Sequence, residues 1–463
     1  MITMKFGGTS VGDVKRLQDV ALIVKTHLPR HPVVVASAMG GVTDLLLDTA
    51  RLAVKRSSQV EPNLRLLKDR HLQVSQALVR DRERRDELME RQARLIDELS
   101  TLYHGVSLLK ELSVRSLDAI ASFGEILSCL QIASILQDHD IPAEFIDSRE
   151  IIRTDANFGE AAVDFPTSSD RIRRRLLPLL GKSCVPVVTG FIGGTEDGLT
   201  TTLGRSGSDY TGSIVGAALE CEEIWIWTDV DGVMTADPRY VQGARVLPQI
   251  SYREAAEMSY FGAKIIHPKT MVPAIEAGIP IRIKNTFNPS APGTIISHTA
   301  DTGDRIVKTI TSIDNLSLIA VEGNGMVGVP GISARIFAAL ARVQVNVIMI
   351  SQASSEHNLC VVIPHRDCAK ALHELKSEFE RDIAKKVIDE VKVQNPVSIV
   401  AVVGEGMKGF RGVAGKTFTA VAEAGINIVA IAQGSSEYNI SLVVEQANAH
   451  KAVQAIHDVF HLG

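Results

Sequence analysis

At 463 residues, the chain is longer than a single hydrophobic core usually supports, so two or three domains are expected. Its composition, 45% hydrophobic and 22% charged, is typical of a soluble globular protein. The formal net charge of −5 is too small to indicate nucleic acid or an anionic membrane as a partner. Small molecules are therefore the expected ligands.

The five cysteines are scattered, with no C-x-x-C pair and no cysteine or histidine cluster at zinc spacing. This pattern predicts neither a disulfide framework nor a structural metal site. The N-terminus lacks the charged and apolar regions of a signal peptide, and we find no apolar stretch of the roughly 18 residues that a membrane span needs. We expect a cytoplasmic protein that does not contact membranes.

The first 50 residues have the pattern of a βαβ unit. Strands are predicted at 2–6 and 32–38, with a helix at 14–26 between them, and apolar residues on both faces of the strands favour a buried parallel sheet. Dense charge at apolar helical spacing predicts long amphipathic helices over 65–112. Strand patterns resume further along, at 185–192, 223–229 and 279–285. We therefore predict an α/β domain that extends to about residue 300.

The remainder of the chain contains an internal repeat. Residues 318–331 resemble 399–412, and 345–358 resemble 426–439, at a constant offset of 81 without gaps. Such a repeat indicates two copies of one supersecondary unit. The first copy ends in a predicted fourth strand at 384–393, whereas the second copy has no fourth strand of its own.

A spare segment precedes the first copy. Residues 306–312 have strand composition and no place in the repeat, so we predict that they supply the missing strand of the second copy. The predicted domains are residues 1–303, 304–394 and 395–463.

A glycine-rich stretch follows the first predicted strand. Residues 4–12 contain Lys5, three glycines and two hydroxyl residues ahead of a helix, which are the parts of an anion site. The stretch is not a Walker A loop, because no Gly-Lys-Ser/Thr ends it. From these residues alone, a phosphate-binding loop and a tight turn without ligand both remain open.

Two further polar loops follow buried strands. In T-L-G-R-S-G-S-D-Y, residues 202–210, Arg205 is placed to clamp a carboxylate, although a turn with a capping Ser208 or Asp209 is the alternative. Residues 227–239 contain three aspartates and Arg239 at the predicted carboxyl end of a strand, where ligands of open α/β sheets bind. The spacing excludes an EF-hand calcium loop.

Together these stretches resemble the aspartate kinases over essentially the whole chain. The resemblance rests on K-F-G-G-T-S-V-G, S-A-M-G-G-V-T, S-F-G-E, T-T-L-G-R-S-G-S-D-Y, W-T-D-V-D-G-V-M-T-A-D-P-R, F-G-A-K-I-I-H-P, I-K-N-T and two Q-x-S-S-E turns. It implies an amino-acid-kinase fold, with a mainly parallel sheet between helices, followed by two ferredoxin-like α+β ACT domains. It also implies ATP-dependent phosphorylation of the β-carboxylate of L-aspartate, the step that opens lysine, threonine and methionine biosynthesis.

The resemblance also implies the site residues. The catalytic group is Lys5, Gly8 and Asp209. The aspartate site is Ser37, Thr43, Glu125, Arg205 and Ser208. The ATP site is Lys5, Gly7, Gly8, Thr228, Asp229, Met234, Arg239, Lys264 and Ile265. Many family members have a tyrosine where this chain has Met234. Mg²⁺ is expected to be held mainly by ATP phosphates, with Asp209 or Asp229 nearby, because Mg²⁺ rarely has an all-protein cage.

The repeats imply feedback regulation by an amino acid and a homo-oligomer, a dimer or tetramer, formed through the ACT domains. The expected effector residues are Met326, Asn346, Gln352, Asn427 and Gln433. The glutamine in each turn resembles the threonine-sensitive branch, so threonine is the expected inhibitor and lysine the second candidate.

Other functions remain as alternatives. A kinase of the same fold that acts on acetylglutamate, glutamate or UMP generally lacks the double repeat. A non-catalytic amino-acid sensor would be expected to have lost Lys5 or Arg205. No G-x-G-x-x-G pattern follows the repeats before Gly463, so we expect a monofunctional kinase without a fused dehydrogenase.

Overall fold

The computed structural model describes residues 1–262, 266–298, 305–352 and 357–463. The chain divides into two compact units. The first unit consists of Met1–Val233, Pro248–Tyr252 and Ile265–Ala300. The second unit consists of Met234–Leu247, Arg253–Lys264 and Asp301–Gly463. Two short segments from before residue 300 therefore belong to the second unit.

An eight-stranded sheet is the core of the first unit, and a separate two-stranded sheet, β5 with β6, accompanies it. The strands are β1 (Ile2–Phe6), β2 (Pro32–Ala36), β3 (Ala143–Ile146), β4 (Val185–Thr189), β5 (Ile192–Gly194), β6 (Thr200–Thr202), β7 (Glu223–Thr228), β8 (Gln249–Ser251), β9 (Ile281–Asn285) and β10 (Thr294–Ser297). The order in the large sheet is β3-β4-β2-β1-β7-β9-β10-β8, and only the β9–β10 pair is antiparallel. The mainly parallel sheet confirms the predicted α/β class.

Helices pack against the sheet and against each other, and several begin at a capping side chain. Asp13, Asp81 and Ser113 each accept a hydrogen bond from the backbone N–H three residues later. The helices of the first unit are α1 (Val14–Thr26), α2 (Val42–Val54), α3 (Val60–Leu78), α4 (Arg82–Leu109), α5 (Val114–Asp138), α6 (Ser148–Ile151), α7 (Phe165–Leu180), α8 (Gly207–Ala218) and α10 (Pro268–Ala277). Helix α9 (Tyr252–Tyr260) belongs to the second unit apart from Tyr252. Helices α3 and α4 confirm the amphipathic helices predicted over 65–112.

Helix α5 contradicts one expectation from the sequence. In the described part of the chain, it is the one helix long and apolar enough to cross a membrane by length and composition, where we had found no such stretch. Polar residues such as Asp118 and Glu125 interrupt its apolar run and hide it from a search for unbroken stretches. In the structure, 89% of its most apolar window is buried inside the protein, as in a core helix of a globular domain.

The second unit contains a six-stranded antiparallel sheet in the order β12-β13-β11-β14-β16-β15. Its elements are β11 (Thr309–Glu322), α11 (Ile332–Arg342), β12 (Met349–Gln352), β13 (Asn358–Pro364), α12 (Cys368–Glu378), α13 (Glu380–Ala384), β14 (Glu390–Val403), α14 (Val413–Glu423), β15 (Ala430–Ala432), β16 (Asn439–Glu445) and α15 (Ala449–Val459). Each repeat therefore has the βαββα order read from the sequence.

The two long strands, β11 and β14, belong to both repeats. The first part of β11, residues 309–313, pairs with residues 399–403 of β14 and so lies beside the first strand of the second repeat. This is the position expected for the spare segment 306–312. The segment predicted as a strand at 384–393 is corrected, because α13 extends to Ala384 and the strand begins at Glu390 and continues to Val403.

The predicted domain boundaries stay a prediction. The boundary near 394 falls inside β14, and the one near 303 lies outside the described residues. Segment 234–247 packs with the second repeat, since Ala236 and Val241 join its hydrophobic core and the Ile310 N–H donates to the Thr235 carbonyl at 2.9 Å. A contiguous division at residue 303 would leave out this contribution to the second unit.

Candidate active site

The loops after β1, β2 and β7 meet at the carboxyl edge of the large sheet. Strand β1 pairs in parallel with both β2 and β7. The Gly7 N–H donates to the Trp227 carbonyl at 3.2 Å, and the Gly40 N–H donates to the Gly8 carbonyl at 3.0 Å. Ligands of open α/β sheets bind at this edge. The glycine-rich stretch 4–12 is therefore located where a ligand is expected.

Two glycines allow backbone approaches that a side chain would block. A Cβ at Gly8 would lie 3.1 Å from the Ala38 carbonyl oxygen, and one at Gly190 would lie 2.6 Å from the Ser208 Cβ. The first glycine lets the loops after β1 and β2 touch. The second brings the start of α8, which contains Ser208, against the end of β4.

Lys5 and Asp209 form an ion pair at this edge. The Lys5 Nζ lies 2.6 Å from an Asp209 carboxylate oxygen, and the two side chains are only 10% and 14% exposed. Lys5 extends from β1, and Asp209 lies in the first turn of α8. The partner carboxylate holds the ammonium group in place in a largely dehydrated environment, where its charge acts more strongly than in water.

Glu125 is a second buried charged residue beside the same loops. Its Oε1 accepts a hydrogen bond from the Ala38 N–H at 3.2 Å, while its Oε2 has no hydrogen-bond partner among the described residues. Burial raises the pKa of Glu125 to about 8, although the Ala38 hydrogen bond and the Lys5 charge oppose the shift. A cationic ligand group that reached the free oxygen would stabilise the ionised carboxylate.

A cavity of about 720 Å³ opens between these loops, α2, α5 and the start of α8, and we call it the sheet-edge cavity. Its volume is in the range of small-molecule sites. Eight of the residues that the resemblance implied line it: Lys5, Gly8, Ser37, Thr43, Glu125, Arg205, Ser208 and Asp209. The structure thus brings together all the predicted aspartate-site residues and the predicted catalytic residues.

Backbone geometry exposes further donors to this cavity. Gly41, at φ 77°, is the N-cap of α2 and provides no side-chain cap, so the first N–H groups of α2 are not satisfied by a side chain of the cap. Arg205 is exposed on the loop between β6 and α8, next to Ser206 at φ 54°. An anionic group in the cavity would therefore meet helix N–H groups as well as a guanidinium group.

The predicted nucleotide residues are only partly within the first unit. Thr228 is the last residue of β7 and Asp229 follows it, and the Thr228 hydroxyl donates to the Asp229 carboxylate at 3.2 Å. Neither lines the sheet-edge cavity. Asp231, in the same loop, accepts hydrogen bonds from the side-chain amides of Asn285 at 2.8 Å and Asn288 at 3.1 Å.

The remaining nucleotide residues are elsewhere. Met234 and Arg239 belong to the second unit, where Arg239 forms an ion pair with Asp237 at 2.5 Å. Lys264 and Ile265 lie outside the described residues, so their predicted role is not addressed by the structure.

A smaller cavity of about 280 Å³ lies in the first repeat, and we call it the repeat cavity. Met326 and Gln352, two of the predicted effector residues, line it together with residues 328–333 and Leu359. Asn346 is exposed and does not line this cavity. The counterparts in the second repeat, Asn427 and Gln433, are also exposed.

Within the described ranges, no group of three or more histidine, cysteine, aspartate or glutamate side chains is placed to hold a metal ion. Of the two carboxylates expected near magnesium, Asp209 is paired with Lys5 and Asp229 accepts from Thr228.

Sequence reasoning missed several residues of this site. Asp118 and Phe191 line the sheet-edge cavity, and the Arg70 guanidinium donates to the Gly40 carbonyl at 2.9 Å. Asp118 precedes Glu125 by seven residues on α5, so the same face of one helix contains both carboxylates. That spacing was available in the sequence, whereas the contact of Arg70 with a loop 30 residues away was not.

Comparison with known proteins identifies the family. The sequence model of the amino acid kinase family matches residues 1–285, and that of an ACT domain matches 319–379 and 400–460. The chain is 38% identical, over 99% of its length, to a bifunctional aspartokinase/homoserine dehydrogenase of Arabidopsis thaliana, of which it covers 51%. It therefore spans about half the length of the bifunctional relatives that it matches.

Relatives of comparable length are also found. Aspartokinase 1 of Arabidopsis thaliana is 34% identical over 99% of this chain and 79% of its own. Aspartokinase III of E. coli, solved with aspartate and ADP, has a TM-score of 0.80 at 30% identity over 99% of both chains, and the same enzyme has also been solved with lysine and aspartate. Since residues 1–285 match the amino acid kinase family and two ACT repeats follow, the chain belongs to the aspartokinases of the amino acid kinase family.

Proposed function

We propose that the protein is an ATP-dependent aspartate kinase that converts L-aspartate to 4-phospho-L-aspartate. The main observation in support is the sheet-edge cavity, which contains a buried Lys5–Asp209 ion pair, a buried glutamate and an exposed arginine. The E. coli relative was solved with aspartate and ADP, which are one substrate and one product of this reaction.

The charges of the cavity match those of an amino acid with an acidic side chain. Arg205 would hold the α-carboxylate through a bidentate interaction, and the free oxygen of Glu125 would accept from the ammonium group. Ser37, Thr43 and Ser208 would supply neutral hydrogen bonds. The β-carboxylate would then point toward Lys5, the cation deepest in the cavity.

The reaction needs charge neutralisation rather than a strong base. The aspartate β-carboxylate is already ionised at pH 7 and attacks the γ-phosphorus of ATP, so the new C–O–P bond forms as the bond to ADP breaks. Lys5 would stabilise the negative charge on the transferring phosphoryl group, and the Gly7 and Gly8 loop would contact its oxygens. Asp209 would keep Lys5 oriented throughout.

The nucleotide would enter as its magnesium complex, a substrate rather than a resident cofactor. Thr228, Asp229, Met234, Arg239, Lys264 and Ile265 are the residues that we propose for its binding. The motif residue Asn285 would act indirectly, because it holds Asp231 and thereby the loop that begins at Thr228.

A hydroxylamine-trapping assay tests the reaction. Aspartate and ATP should give an acyl phosphate that hydroxylamine converts to a hydroxamate, whereas glutamate and acetylglutamate should not. UMP, whose product UDP is not an acyl phosphate, is tested by acceptor-dependent release of ADP and should give none. A product with one of those acceptors but not with aspartate would favour another kinase of this fold. No product with any acceptor, from folded protein that still binds aspartate, would favour a sensor.

We further propose that threonine inhibits the enzyme through the repeats. The described lining of the repeat cavity has polar side chains only at Ser333 and Gln352 and no ionisable side chain. Among these described residues a lysine ammonium group would find no carboxylate partner, whereas a threonine hydroxyl needs only a neutral hydrogen bond. Activity measured with each amino acid at millimolar concentration tests the choice, and stronger inhibition by lysine would reverse it.

The repeats are also proposed to join subunits into a dimer or tetramer. Ile350 and Ile431, equivalent residues on β12 and β15, are 48% and 41% exposed, even though the Ser351 hydroxyl of β12 donates to the Ile431 carbonyl of β15 at 2.9 Å. Exposed apolar side chains on sheet edges favour association with another chain. Analytical ultracentrifugation would detect it, and a monomer at micromolar concentration would contradict it.

A further inference from the structure

Asp118 has an unusual set of contacts for a residue that the resemblance did not single out. It lies on α5 with only 3% of its surface exposed, and it lines the sheet-edge cavity. One carboxylate oxygen accepts from the Gly159 N–H and the Thr202 N–H, both at 2.9 Å, and the other accepts from the Thr202 hydroxyl at 2.8 Å. A single buried side chain therefore joins three segments that are distant in sequence.

The segments that Asp118 joins position Glu125 and Arg205, the two charged residues proposed to bind aspartate. Glu125 follows Asp118 by seven residues, or about two turns and roughly 10 Å along the same helix. Thr202 is the last residue of β6 and precedes Arg205 by three residues. The Thr202 carbonyl in turn accepts from the Ala161 N–H at 2.9 Å, which fixes the 159–161 turn against the same strand.

We propose that Asp118 is a positioning residue that sets the separation between Glu125 and Arg205 and thereby determines how tightly the acceptor amino acid binds. This inference rests on the proposed aspartate kinase function. The carboxylate fastens the end of β6 to α5, so the loop with Arg205 starts from a fixed point relative to Glu125. The ammonium and α-carboxylate groups of one amino acid are a fixed distance apart, so both residues contact it well only when that separation is maintained.

The chemistry requires a carboxylate at this position. Three donors, two N–H groups and one hydroxyl, point at its two oxygens, and an ionised carboxylate is an acceptor at both. An asparagine that kept its oxygen on the two N–H groups would turn its N–H₂ group toward the Thr202 hydroxyl, which would then accept instead of donate. The charge-assisted bonds that hold the strand end would be weakened, while the side-chain volume would hardly change.

A competing explanation is that Asp118 only stabilises the fold, and the chain offers a second contact between an aspartate and a threonine as a control. Asp164, the N-cap of α7, accepts from the Thr167 N–H at 3.2 Å and from its hydroxyl at 2.6 Å, the same pair of threonine donors. Asp164 does not line the sheet-edge cavity. Because Asp164 is exposed and asparagine also caps helices, Asp164→Asn controls for the change from carboxylate to amide itself, and thermal unfolding of Asp118→Asn measures any loss of stability.

The test compares steady-state kinetics and thermal unfolding of Asp118→Asn, Asp164→Asn, Thr202→Ser and Thr202→Val. We expect Asp118→Asn to raise KM for aspartate about tenfold or more, the loss typical of a hydrogen bond to a charged group, with KM for ATP within about twofold of wild type. Thr202→Ser keeps the hydroxyl and should retain the wild-type KM, whereas Thr202→Val should raise it. Asp164→Asn should leave it unchanged.

The outcomes separate the two proposals. Wild-type protein that gives no aspartate-dependent acyl phosphate refutes the function itself. If wild type is active but Asp118→Asn keeps its KM for aspartate, or raises the KM values of aspartate and ATP equally, the positioning role is wrong. If Asp118→Asn does not fold, Thr202→Val decides: a KM for aspartate equal to that of Thr202→Ser overturns the proposal.

Discussion

The sheet-edge cavity and the repeat cavity are both formed where glycine-containing loops meet the start of a helix, yet their charges differ. Gly41 is the N-cap of α2 beside the first cavity, and Gly331 is the N-cap of α11 beside the second. The sheet-edge cavity contains a lysine, arginines and buried carboxylates, whereas the described lining of the repeat cavity has no ionisable side chain. Phosphoryl transfer requires fixed charges that stabilise the transferring group. Recognition of a small zwitterion can rely on backbone groups and neutral side chains.

Because, of these two cavities, only the sheet-edge cavity has charged side chains in its described lining, changes to those charges should have the largest effects on catalytic activity. Lys5→Ala should lower kcat by about 100-fold or more, because the transferring phosphoryl group loses a preorganised cation and Asp209 is left unpaired in a buried position. KM for aspartate should change only a few-fold. Steady-state kinetics with Lys25→Ala, an exposed lysine of α1, provides the control, and an unchanged kcat in Lys5→Ala would refute the catalytic role.

Arg205→Ala should mainly affect binding. The loss of a charge-assisted, bidentate contact with the α-carboxylate should raise KM for aspartate roughly 10- to 100-fold, and Arg205→Lys should be intermediate because it keeps the charge but not the planar fork. Arg51→Ala is a stringent control, since Arg51 also lines the cavity but is paired with Asp48 at 2.6 Å. Equal KM values for the two alanine variants would argue against the clamp.

Glu125 gives the site a pH dependence. With its pKa raised to about 8 by burial, most of the free enzyme at pH 7 has a protonated Glu125, which binds an ammonium group poorly. KM for aspartate should therefore fall about tenfold per pH unit as pH rises toward 8 and level off above it. Proton release on aspartate binding, measured by calorimetry in buffers of different ionisation enthalpy, checks the same linkage.

The same shift affects stability with a defined sign. Because the folded-state pKa of Glu125 lies above its ordinary value of 4.5, its contribution to the free energy of unfolding is fully present below pH 4.5 and is lost as pH rises through about 8. Glu125→Gln should remove this slope and the pH dependence of KM for aspartate between pH 6 and 8. A Glu125→Gln variant with the wild-type KM profile would show that another group titrates.

Elements and motifs that depend on a local sequence pattern could be predicted from the sequence. Contacts between residues far apart in the sequence could not. The glycine-rich stretch after β1 and the missing strand of the second repeat were visible as patterns. The hydrogen bonds of Asp118 were not, because its partners Gly159 and Thr202 are 41 and 84 residues away. The membership of Val241 in the core of the second repeat likewise depends on residues more than 60 positions later in the chain.

The smallest predicted effect is on inhibition by threonine and concerns the repeat cavity. It also compares the two repeats. Gln352 lines the repeat cavity of the first repeat, and both Gln352 and its counterpart Gln433 in the second repeat are exposed. A neutral hydrogen bond contributes about 1 kcal/mol, so Gln352→Ala should raise the threonine concentration for half-inhibition roughly five-fold. Gln433→Ala should raise it less, because the cavity described for the effector lies in the first repeat. Each inhibition curve is measured relative to the activity of the same variant without threonine. If the two variants raise the threonine concentration for half-inhibition equally, both repeats contribute equally to binding of the effector. The cavity seen only around Gln352 among the described residues would then not determine where the effector binds.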